Sequence, residues 1–304
     1  MKRLNLRRWS ALALAGALTG CSSGIFNPQG AVGVETKNLI IFAFALMLIV
    51  VIPVIFMTFY FAWKYRAGNK DAEYAPDWHH SNKIEFWMWA VPIILILILG
   101  TVTYKTTHDL DPFKPLESNV KPLRIQAISL NWKWLFVYPD QGIATINQIA
   151  FPKDTPLNFE ITSQSVMNAF FIPELGSQIY AMPGMATKLH LIANNEGTFP
   201  GLSANYSGAG FSGMKFNAIS TTQQGFEDWV KKVKANATQL DMASYKELAQ
   251  PSENTPVTYY GTVQPDLFKA IIDQFMGHGG HMTMAGDAEK GDAHAGHGEA
   301  APAQ

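Results

Sequence analysis

With 304 residues and a formal net charge of -1, the chain lacks the basic excess that a nucleic-acid binder sets against phosphate. Its single cysteine, Cys21, excludes a disulfide framework and any site that draws two thiolates from this chain. Hydrophobic residues make up 48% of the sequence and concentrate in two long apolar runs in the first third, the pattern of a membrane anchor joined to a water-exposed domain.

Residues 1–20 have the form of an export signal. Lys2, Arg3, Arg7 and Arg8 make a basic start, and the apolar stretch after them is too short to cross a bilayer. The stretch ends in Leu18-Thr19-Gly20-Cys21, which resembles a bacterial lipobox and implies acylation of Cys21 on the outer face, with residues 21–37 as a lipidated N-terminal segment. A buried structural cysteine is the alternative, and the basic, apolar and small-residue context favours the lipid. Residues 38–63 and 85–105 are uncharged save for Glu85 and Lys105 at the ends of the second, and each is long enough to span ~30 Å of hydrocarbon, so residues 38–105 are expected to form a transmembrane hairpin. Lys64, Arg66, Lys70 and Lys83 place the link between the spans in the cytoplasm, and the lipobox independently puts the chain beyond Lys105 outside.

From about residue 121 the pattern changes to short runs of β-branched and aromatic residues broken by Pro, Gly and Asn. Strands are predicted over residues 123–129, 132–138, 157–162, 169–173, 188–193 and 214–220, at a spacing that favours a sandwich or small barrel within residues 106–222. Helices are predicted over 226–236, 242–249 and 265–276, making residues 223–276 a helical extension. The fold class is therefore an α+β membrane protein: a two-helix hairpin, an all-β sandwich and a C-terminal helical extension. Residues 277–304 are rich in His, Gly and Ala and are expected to be disordered.

A lipobox, a two-span hairpin and an outer β-sandwich together resemble subunit II of the haem-copper oxidases over roughly residues 36–220. In the cytochrome c oxidases of that family the sandwich is a cupredoxin that holds a dinuclear copper centre, with a His followed later by Cys-x3-Cys-x3-His-x2-Met. Here Val166-Met167-Asn168-Ala169-Phe170 puts Asn168 at the first histidine position. Between Gly201 and Met214, Ser203 and Ser207 stand at the thiolate positions, Phe211 at the second histidine, and Met214 alone is kept. Serine hydroxyls stay protonated and bind copper poorly, so a bridged copper pair is not expected. The runs Ser165-Val166-Met167-Asn168, Gly176-Ser177-Gln178-Ile179-Tyr180-Ala181-Met182 and Tyr206-Ser207-Gly208 resemble the cytochrome bo-type ubiquinol oxidase branch.

That resemblance implies a subunit with no cofactor of its own in a respiratory complex that oxidises ubiquinol, reduces oxygen to water and pumps protons. Subunit I would carry the haems and one copper; further small membrane subunits and the lipid bilayer would be the other partners, without cytochrome c or nucleic acid. The chain would be a multi-pass lipoprotein of the bacterial inner membrane with its C-terminal domain in the periplasm. Glu85, seven residues before Pro92, matches a family glutamate near the cytoplasmic mouth of a proton channel; a carboxylate favoured by the helix dipole is the plainer reading. The aromatic run 131–138 reads as packing or subunit contact, and His79, His80 and His190 as ordinary polar residues. The tail holds His278, His281, Met282, Met284, His294 and His297, a set that supports a rival class, a membrane-tethered copper-binding or copper-delivery lipoprotein. That rival leaves the hairpin and the altered copper loops unexplained.

Overall fold

The computed structural model describes residues 24–71, 75–116 and 118–276, so Cys21 and the His/Met tail lie outside the described residues. Two long helices come first: α1, Ala31–Lys64, and α2, Asn82–Asp109. At ~1.5 Å per residue they run ~51 and ~42 Å, so both exceed the hydrocarbon thickness and stand out of it at their ends. The first helix starts seven residues before the expected span, taking in Glu35 and Lys37, and it continues unbroken past Pro53. Phe44, Phe56, Phe59, Trp63, Trp87 and Trp89 are all exposed along the two helices. A lipid or protein surface must cover such a belt.

The strands are β1 Leu123–Leu130, β2 Lys133–Tyr138, β3 Ile143–Ile146, β4 Gln148–Pro152, β5 Leu157–Ser163, β6 Asn168–Phe171, β7 Ile179–Ala181, β8 Thr187–Leu191, β9 Gly197–Ser203, β10 Lys215–Thr221, β11 Gln239–Leu240, β12 Thr258–Tyr260 and β13 Thr262–Val263. They build a six-stranded sheet in the order β12-β3-β2-β1-β5-β8 and a five-stranded sheet in the order β4-β10-β9-β6-β7. Most neighbours are antiparallel; β1 with β5 and β4 with β10 are parallel. Between the sheets Trp134, Phe136, Phe159, Phe170 and Phe216 form an aromatic core with ring centroids 5.0–6.4 Å apart.

The helices α3 Gln223–Lys234, α4 Met242–Leu248 and α5 Leu267–Met276 come after β10. Residues 223–276 differ from the expected helical extension, because β11, β12 and β13 lie among these helices and β12 completes the six-stranded sheet against β3. The reason is visible in β2. Its residues alternate, with Trp134 and Phe136 facing the inter-sheet core while Leu135 and Val137 face the other way, and both faces are buried. Leu240, Tyr245, Tyr260, Leu267 and Ile271 cover that second face, so the C-terminal segment is a third layer of the domain.

The domain is tied to both helices. Gln29 N donates to the Glu174 carbonyl at 2.7 Å, and Asn194 N donates to the Gln29 carbonyl at 2.8 Å. On the other helix's exit, His190 N and Nδ1 both reach the Pro112 carbonyl, at 3.2 and 3.0 Å.

Candidate functional site: an altered metal cradle and a helix-entrance carboxylate

Asn168 opens β6, Ser203 ends β9, and the loop between β9 and β10 carries Ser207, a 3-10 turn Ala209–Gly213 with Phe211, and then Met214. The close pairing of β9 with β10 and β6 brings these positions to one end of the five-stranded sheet. The Asn168 amide Nδ2 donates to Met214 Sδ at 3.2 Å and lies 3.3 Å from Ser207 Oγ, while its Oδ1 accepts from Ala169 N at 2.9 Å. Ser203 Oγ accepts from the Trp134 indole at 3.0 Å, and Ser203 N donates to the Met214 carbonyl at 3.2 Å. Phe211 instead lies edge-on to the exposed ring of Tyr206, 5.7 Å between centroids.

Asn168, Ser203 and Met214 are buried, and a buried polar group must be hydrogen-bonded to avoid a penalty of roughly 1–3 kcal/mol. Here the Asn168 amide is answered by Ser207 and Met214, and the Ser203 hydroxyl by the Trp134 indole. A copper pair needs soft thiolates and imidazole lone pairs, whereas this set offers an amide that points its hydrogens at the sulfur, two hydroxyls and one thioether. The residues do not fit a dinuclear copper centre.

The loop is braced by the aromatic run. Trp132 takes φ 63° rather than joining the strand as expected, and its indole donates to the Ser207 carbonyl at 3.0 Å. A Cβ on Gly210 would fall 2.5 Å from the Trp132 ring, which is why a glycine lies against it. Lys133, buried in a strand, donates to the Gln250 carbonyl at 2.8 Å and to Ser252 Oγ, and its burial holds the ammonium below the usual lysine range. Thus the run binds the third layer to the sheet.

Glu85 sits in the first turn of α2, the helix that also contains Pro92. Its own N–H is already bonded to the Ser81 carbonyl at 3.0 Å, and its carboxylate turns to His80 Nδ1 at 2.6 Å instead of to the free N–H groups of the helix end. His80, expected to be an ordinary polar residue, is therefore the partner of this carboxylate. The signal for it in the sequence is a histidine five residues ahead of a carboxylate across a helix start.

Residues 141–220 match the family model described as cytochrome c oxidase subunit II, periplasmic domain, and residues 234–279 match the COX aromatic rich motif, a range that includes the third-layer residues Leu240 to Ile271. The chain is 61% identical to cytochrome bo(3) ubiquinol oxidase subunit 2 of Pseudomonas aeruginosa over 94% of its own length and 87% of that protein. The chain belongs to the ubiquinol oxidase subunit 2 family. It is also 53% identical to ubiquinol oxidase subunit 2 of Acetobacter aceti, over 88% of each chain. With quinol oxidase subunit 2 of Bacillus cereus the identity is 36%, over 79% of this chain and 84% of that one. Membership of the ubiquinol oxidase subunit 2 family favours the oxidase reading over the copper-delivery lipoprotein.

Proposed function

We propose that this chain is the redox-silent subunit II of a proton-translocating ubiquinol oxidase. It holds a subunit I that carries both haems and the remaining copper, with further small membrane subunits beside it. Its hairpin packs in the bacterial inner membrane, its sandwich caps the periplasmic side, and an acyl group on Cys21 adds a third hold. Quinol delivers electrons to the complex within the membrane, so cytochrome c has no docking role. The observation that carries this reading is the altered cradle, in which the Asn168 amide donates to Ser207 Oγ and Met214 Sδ. On the cytoplasmic side Glu85 is the proton-entry residue toward subunit I, and the reading is supported by its 2.6 Å contact with His80 Nδ1, a hydrogen-bonded carboxylate–imidazole pair.

Metal analysis of the haem-normalised complex tests the central claim. Copper should match the single ion assigned to subunit I, with none of the purple colour of a mixed-valence copper pair. Stoichiometric extra copper that resides in this chain would overturn the reading.

A further inference from the structure

At the domain end of the hairpin, α1 and α2 part to leave a cleft of about 550 Å³. Its walls follow the helical repeat: Glu35, Leu39 and Phe42 lie at i, i+4 and i+7 on α1, and Val102, Thr106 and Asp109 at the same spacing on α2. The start of α1 and the exit of α2 are both tied to the sandwich, so the two carboxylates share that end of the cleft and Leu39, Phe42 and Val102 line the part that runs toward the bilayer. The rest of the chain buries neither helix's apolar stretch, so lipid or another protein must fill the gap between them.

The charge of the cleft decides between those two. No basic residue lines it. Among the described residues Glu35 and Asp109 take part in no ion pair, and neither does Lys105, one turn before Asp109. Asp109 is also the last residue of α2, where the free carbonyls of the helix end carry partial negative charge, so its own helix disfavours its carboxylate. Glu35 is the fifth residue of α1, past the first turn in which a helix start stabilises an anion. An apolar slot thus opens into a negative rim that no group lining it answers.

We infer that this cleft seats the outer end of a transmembrane helix of subunit I, with a lysine or arginine of that helix between Glu35 and Asp109 and its apolar side chains, deeper in the bilayer, against Leu39, Phe42 and Val102. A basic side chain carries its cation at the end of an apolar stem with no anion between, which is the order of groups in the cleft. A phospholipid sets its phosphate next to the acyl chains, ahead of any ammonium, and would bring a like charge to the two carboxylates. A bare metal ion would leave the apolar wall uncovered. The inference rests on the oxidase reading above, which supplies subunit I, and it names where on the hairpin that subunit is held.

The test uses the whole complex with a photo-cross-linking benzophenone amino acid at Leu39 and, in a second preparation, at Phe42. Mass spectrometry should map the cross-link to subunit I, on a membrane-spanning segment with a lysine or arginine within about two helical turns of the linked residue. Cross-links confined to lipid, to a second copy of this chain, or to a segment without such a basic residue would overturn the inference. Glu35→Gln combined with Asp109→Asn should lower the subunit I retained through purification in detergent roughly tenfold, the scale of a lost charge-assisted pair, whereas Glu35→Asp combined with Asp109→Glu should retain it. Wild-type retention in the neutral variant, or equal loss in both, would also count against the seat. Haem content separates the two levels: wild-type complex without a haem-bearing partner would sink the oxidase reading, while a haem-bearing complex with no cross-link to subunit I would sink the seat alone.

Discussion

Tyr245 has a hydroxyl that no group among the described residues answers: the oxygen is buried within the third layer without a hydrogen-bond partner. Burial raises its pKa, so the folded protein resists an ionisation that the unfolded chain undergoes near pH 10. Its contribution is therefore intact below about pH 10 and is lost as pH rises above that value. Tyr245→Phe removes both the orphan hydroxyl and the ionisation. Denaturant unfolding at pH 7 should show the variant equal to wild type or more stable by up to ~1 kcal/mol, and a pH series should show it losing less stability on the alkaline side. Glu85 poses a different question at the same scale. If it feeds protons to the neighbouring subunit, Glu85→Gln should assemble with full haem content yet turn over slowly, and Glu85→Asp should keep more activity. Wild-type quinol oxidation by haem-normalised Glu85→Gln would leave the carboxylate with only its dipole role, worth ~0.3–1 kcal/mol.

Among the elements, the joint between α1 and the sandwich depends on small residues. A Cβ on Gly30 would fall 2.1 Å from the Ile192 carbonyl oxygen, and one on Gly176 would meet the Leu191 side chain at 2.6 Å. Gly30→Ala should therefore push the first helix off the domain and destabilise the joint by about 1–3 kcal/mol, read as faster proteolysis near residue 30. Gly68→Ala, where no atom lies within 4 Å of the added carbon, is the matched control and should behave as wild type. The joint was not legible in the sequence, since nothing in Gly30 or Gln29 announces a partner more than a hundred residues away. The longer strands were legible, because β1, β2, β5 and β10 are long enough for β-branched and aromatic residues to dominate. Others hid for specific reasons. Asn147, at φ 55°, divides one apolar run into β3 and β4, and Gly197, Pro200 and Gly201 gave β9 the composition of a loop. Gly201 is required there because the Phe216 ring lies where its Cβ would be. In the cradle, motif spacing located Asn168, Ser203, Ser207 and Met214, but the amide-to-sulfur bond that closes it is a three-dimensional fact.

For the molecule as a whole, the proposed membrane attachment is redundant: two apolar helices and the acyl group proposed on Cys21 would act together. Cys21→Ser should remain in the membrane fraction, because two spans hold far more firmly than acyl chains, and its appearance as soluble protein would mean that the helices do not cross the bilayer. The third layer makes a sharper demand. A chain ending at residue 222 would lack β12 along the edge of β3 and would bare Ile128, Leu135, Val137 and Ile146 on the outer face of the sheet. Such a chain should aggregate or be degraded after export, as measured by immunoblot of membrane and insoluble fractions. The same geometry orders events during biosynthesis. On the proposed topology the hairpin can insert as soon as it is made, but the six-stranded sheet would keep an open edge and an oily face until Tyr260 and Ile271 have followed it across the membrane. On the proposed topology the domain would thus spend most of its translocation in a sticky state, prone to aggregation until the last strands arrive to seal the fold.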